Sequence, residues 1–80
     1  MENVAVGRIV HYVNEAGVHR PAIIVETFEN ISEYKDSGTV NLQVFTDGMN
    51  DGPDGNIRWV TSIPHDGVKR PSTWHWPEGT

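Results

Sequence analysis

Short runs of β-branched and aromatic residues, each halted within a few positions by Gly, Pro, Asn or Asp, recur along this 80-residue chain. Punctuation at that spacing leaves no stretch long enough for a self-supporting helix, so strands and turns must do the folding. Gly7–Val13 stops at the turn-forming cluster Asn14-Glu15-Ala16-Gly17. Pro21–Glu26 opens on a proline, which suits a first strand position where a missing N–H costs least. Thr39–Thr46 alternates, with Val40, Leu42 and Val44 on one face and Asn41 and Gln43 on the other, the signature of a half-buried strand. Asn56–Ile63 is ended by Pro64 and carries Ile57, Trp59, Thr61 and Ile63 on one side and Val60 on the other. Thr73–Trp76, before Pro77, reads as a short fifth strand.

The connections are less regular. Between Thr27 and Ser37, Phe28, Ile31 and Tyr34 recur at three-residue spacing and Ser32 is placed to cap, so residues 28–35 form a loop or at most one short helical turn. Asp47–Gly55 holds two Asp-Gly pairs and a proline and reads as a long turn between the third and fourth strands. In Ala22-Ile23-Ile24-Val25 four apolar residues run together, which implies that both faces of that strand are at least partly covered. The pattern predicts an all-β fold, a small five-stranded antiparallel barrel or two packed sheets, with residues 1–80 as a single domain; a barrel has the advantage of removing exposed edges.

A domain of this size buries only roughly 60–65% of the surface its unfolded chain exposes. Without a cysteine there is no disulfide staple and no thiolate metal site, so stability comes from apolar packing, from subunit association, or from both. Homo-oligomerisation is therefore expected. The cysteine-free composition and the start Met1-Glu2-Asn3, which lacks the basic and apolar regions of a signal peptide, fit a cytoplasmic protein. No apolar run approaches the roughly 20 residues of a membrane helix. The net charge of −5 repels a polyanion, which disfavours long nucleic acid as a partner. Local gatherings of basic residues, Arg8, His11, His19 and Arg20 in one segment and Lys69 and Arg70 in another, leave room for a small anionic ligand.

The candidate ligand-binding residues are Arg8, His11, Tyr12, His19, Arg20, Trp74, His75 and Trp76. The tail Thr73-Trp74-His75-Trp76 has two readings. In an extended segment Trp74 and Trp76 project to one face and His75 to the other. In one reading the indoles cover an end of the barrel and His75 points to solvent. In the other at least one indole stacks on a planar ligand, an interaction that contributes roughly 1–3 kcal/mol per base. The four histidines His11, His19, His65 and His75 include no His-x-x-x-His pair, so their spacing predicts no metal site unless the fold or a subunit contact assembles one. The Asp-rich turn fails the calcium-loop pattern, because Met49 stands third from Asp47 and Pro53 third from Asp51. No catalytic residues, nucleophile elbow or phosphate loop are recognisable, and no cofactor is implied.

Gly7–Val13, Arg20–Val25, Val40–Gly48 and Thr73–Glu78 together resemble a family of short proteins encoded by tailed bacteriophages and prophages, whose members share the Gly-Arg-Ile-Val-His-Tyr-Val start and the Thr-Trp-His-Trp-Pro-Glu end. That resemblance implies a viral origin and a place in the infected bacterial cytoplasm or in the virion. Gly7–Val10 followed by Arg20–Val25 is also similar to the opening of the MazF-type ribonuclease toxins, which supports an SH3-like barrel; those toxins are longer, carry helices, and have a catalytic polar pairing without a match here, so ribonuclease activity does not transfer. Three functions follow as expectations: a non-enzymatic phage accessory protein that sequesters a host nucleotide defence signal or binds a host protein, a head-decoration or connector protein of the virion, and, last, a small hydrolase or nuclease.

Overall fold

The computed structural model describes residues 3–47 and 57–77. Its five strands are β1 (Ile9–Val13), β2 (His19–Thr27), β3 (Val40–Phe45), β4 (Ile57–Ile63) and β5 (Thr73–His75). They form one sheet in the order β4-β3-β2-β1-β5, every neighbouring pair antiparallel. The sheet curls into an open half-barrel. The all-β expectation with five antiparallel strands is met.

Local chemistry sets the turns. At the β1–β2 turn the Asn14 side-chain oxygen accepts hydrogen bonds from the Ala16 and Val18 amides, both 2.9 Å, and Gly17 takes a φ of 83° that a residue with a Cβ adopts at a cost. The β1–β2 ladder runs on beyond the strand itself: Ile24 N–H donates to the Arg8 carbonyl at 2.9 Å and Gly7 N–H to the Ile24 carbonyl at 2.8 Å. Phe28, Ile31 and Tyr34 mark three successive turns, with amides of Ile31, Tyr34 and Ser37 donating three residues back. No helix forms there. Of the turn expected over Asp47–Gly55, all but Asp47 lies outside the described residues, as does Asn56.

Inside the curl, Val10 and Tyr12 of β1, Ala22 and Ile24 of β2, Val40, Leu42 and Val44 of β3, Val60 and Ile63 of β4 and Trp74 of β5 form the core, with Val4 and Trp76 packed against it. Strand four departs from the simple alternation read from sequence. Ile57, Trp59 and Thr61 do share the outer face, but Ile63 turns inward with Val60. The cause is a bulge: the β3–β4 register shifts between Val40 and Leu42, Ser62 takes a φ of 57°, and Asn41 Oδ1 accepts from Ser62 N–H at 2.9 Å and Thr61 Oγ1 at 2.8 Å. One inserted residue flips everything after it.

Two contacts draw the ends of the sheet together. Trp74 N–H donates to the Pro64 carbonyl at 3.0 Å and Asp66 N–H to the Trp74 carbonyl at 2.9 Å, tying the chain after β4 to β5. Arg58 of β4 makes a two-pronged ion pair, 2.9 and 3.2 Å, with Glu15 in the β1–β2 turn, beyond β3 and β2 in the sheet.

Candidate functional site

Period-two alternation divides the expected ligand-binding residues between the two faces of the sheet. Arg8 continues the Val10–Tyr12 row and Arg20 pairs with Tyr12 in register, so these share the inner face with Trp74 and Trp76. His11, His19 and His75 lie on the outer face. The expected single cluster is therefore two clusters back to back.

On the inner face Tyr12 and Trp74 are core side chains, 2% and 0% exposed. The Trp74 indole N–H donates to the Gly38 carbonyl at 2.6 Å, and its ring is met edge-on by His65 at 4.8 Å and Trp76 at 5.0 Å. Trp76 is half-buried at the rim, and the Arg8 guanidinium sits 5.1 Å above its ring, a cation–π distance. Of the two readings of the tail, Trp74 takes the packing role, while Trp76 keeps a part-exposed ring beside a cation.

On the outer face His11 and His75 are direct cross-strand partners, and His19 enters from β2 opposite Val13. The His75 ring is met edge-on by His11 at 5.6 Å and by His19 at 4.8 Å. Each of the three rings offers one nitrogen, and these nitrogens all lie within 4.8 Å of one another. His75 does not point to solvent as one reading of the tail required: it is 3% exposed, with the half-buried rings of His11 on β1 and His19 on β2 edge-on to it. Sequence spacing showed no metal-type pair among the histidines; strand register supplies the juxtaposition that spacing lacks.

Beside the histidines runs a row of apolar side chains. Ile9 pairs with Ile23, Ile23 with Gln43 and Gln43 with Trp59, and Phe45 pairs with Ile57 in the next row. Ile9, Ile57 and Trp59 are each more than half exposed and Phe45 and Val25 are exposed as well. The partial cover expected over both faces of Ala22–Val25 is present in part: Ala22 and Ile24 are in the core and Ile23 on the outer face is half-buried, but Val25 is open. Sequence reasoning did not single out this row, since only register across four strands reveals it.

Electrostatics centre on the turn between β4 and β5, with the Lys69 and Arg70 expected to leave room for a small anion. Asp66 accepts from the Arg70 guanidinium and from the Val68 amide at 2.8 Å, and the Arg70 hydrogen bond is the main reason its carboxyl is held down at about 2. Arg70 is thereby committed to the chain's own turn. The Arg58 hydrogen bonds likewise hold the Glu15 carboxyl below its ordinary value. No helix among the described residues is long and apolar enough to cross a membrane. Comparison with known proteins finds no matching family, no matching curated protein and no matching solved structure.

Proposed function

We propose that this chain is a non-catalytic accessory binding protein of a tailed phage, a small SH3-like barrel that works as a homo-oligomer in the infected bacterial cytoplasm. The observation that carries the binding role is the exposed apolar row Ile9, Phe45, Ile57 and Trp59 on the outer face. Several exposed apolar side chains on one face of a small sheet, here interrupted by Gln43, suit an interaction surface, and a second copy of a chain with so thin a core gains most by covering them. The sheet order supports the same reading, since β4, which carries Ile57 and Trp59, is a terminal strand. The SH3-like part rests on the five-strand meander with its fifth strand beside the first, and on the two contacts that draw its ends together. The phage part rests only on the resemblance of Gly7–Val13, Arg20–Val25, Val40–Gly48 and Thr73–Glu78 to that family.

Arg8 over Trp76 favours a small planar anion, such as a nucleotide signal of host defence, as the ligand of the inner rim. Ring and guanidinium would then share the ligand's flat face and its phosphate. Size-exclusion chromatography of the Trp59→Asp variant tests the oligomer: a later elution with unchanged circular dichroism supports it, and co-elution with the wild type rejects the outer row as the interface. A flat thermal response across a panel of cyclic dinucleotides and ADP-ribose derivatives would remove the nucleotide.

A further inference from the structure

Three imidazoles from three adjacent strands, with no carboxylate in the group, form a donor set of one chemical kind. We propose that His11, His19 and His75 are a binding site for a divalent transition-metal ion of the zinc class, a role separate from the oligomer and nucleotide readings above. Nitrogen ligands of intermediate softness select zinc, cobalt, nickel or copper over calcium and magnesium, which require oxygen. The distances are close to what such an ion needs. Three atoms spaced within 4.8 Å of one another share a point within about 2.8 Å of each. A shift of under about 1 Å per ring brings that to the 2.0–2.1 Å of a zinc–imidazole bond. Small side-chain rotations provide it.

The placement also favours binding over accidental proximity. Strands hold ligands more precisely than loops do, and all three histidines sit on strands, two of them paired across the β1–β5 ladder. His75 forms the buried floor, and His11 and His19 beside it are half-buried, which leaves part of the group open to solvent on the outer face. Three nitrogens leave a fourth tetrahedral position for water or for an outside donor, the arrangement of an open site.

The test is isothermal titration of the metal-stripped full chain with zinc chloride, alongside visible spectroscopy with cobalt(II). The expected result is one ion per chain, a raised thermal midpoint, and the intense cobalt bands of a site with fewer than six ligands. His11→Gln and His19→Gln, chosen because both side chains are only half-buried, should each weaken zinc binding at least tenfold while the metal-free thermal midpoint stays within a few degrees of wild type. His75→Gln is left for confirmation, since its burial couples it to folding. No saturable heat with zinc in the wild type, or zinc binding unchanged in the His11→Gln/His19→Gln double variant, would overturn the site.

Discussion

Trp74 illustrates how one side chain can fix a terminus. Its ring fills the core at 0% exposure and its indole N–H reaches the Gly38 carbonyl, joining β5 to the end of the excursion that precedes β3. Phenylalanine at this position keeps most of the apolar fill and orphans the carbonyl, so Trp74→Phe should destabilise by about 1–3 kcal/mol. Trp74→Ala adds the cavity and should cost about 3–5 kcal/mol. Equilibrium urea unfolding measures both, and a neutral Phe variant would mean that the Gly38 contact contributes nothing. Asp66 makes a second prediction at this scale. Its carboxyl titrates at about 2 in the folded chain, against about 3.9 for an ordinary aspartate. A lowered value means that the ionised form stabilises the fold, fully above about pH 4–5 and progressively less as pH falls through the folded value of about 2. The stability difference between wild type and Asp66→Asn should therefore be constant near neutrality and vanish toward pH 2, as read from thermal midpoints across a pH series. A difference that persists unchanged into acid would contradict the Asp66–Arg70 account.

At the scale of elements, the β3–β4 pair depends on its bulge. Asn41 Oδ1 holds both Ser62 N–H and Thr61 Oγ1, and this redirection is what brings Ile63 into the core. Asn41→Ala should cost about 1–2 kcal/mol, because two hydrogen bonds are lost at a residue that sets the register. Amide exchange at Ser62 should rise selectively in that variant; uniform protection across β4 would argue that the bulge is self-supporting. The bulge also shows where sequence reasoning stops. The five strands were legible because β-branched residues and turn formers punctuate the chain locally, and the two faces of β3 were legible because its alternation is unbroken, although its ends fall one residue inside the expected Thr39–Thr46. Ile63 was misplaced because one residue at positive φ reverses a period-two pattern, and nothing in the local sequence marks Ser62 as that residue. The histidine triad and the apolar row were illegible for a related reason. His11 and His75 are 64 positions apart, and only the β1–β5 pairing makes them neighbours. By contrast, the opposed projection of His75 and the tail indoles was legible, since it requires nothing but an extended backbone.

At the scale of the whole molecule, the chain satisfies the inner face of the sheet and the part of the outer face around Val13 and His75, but not the outer row that carries Ile9, Phe45, Ile57 and Trp59. The core accounts for Val10, Tyr12, Ile24, Leu42 and Trp74, while Ile9, Phe45, Ile57 and Trp59 remain on the outside among the described residues. Apolar surface left in water is a reserve of free energy at about 25 cal/mol per Å², and association releases it. Covering the outer row should therefore complete this small fold. Sedimentation equilibrium of the wild-type chain over a range of micromolar concentrations tests that claim most directly. The predicted result is a mass that is an integral multiple of the 8.9 kDa protomer and that falls to 8.9 kDa for Trp59→Asp. A wild-type mass of 8.9 kDa at every concentration would contradict it.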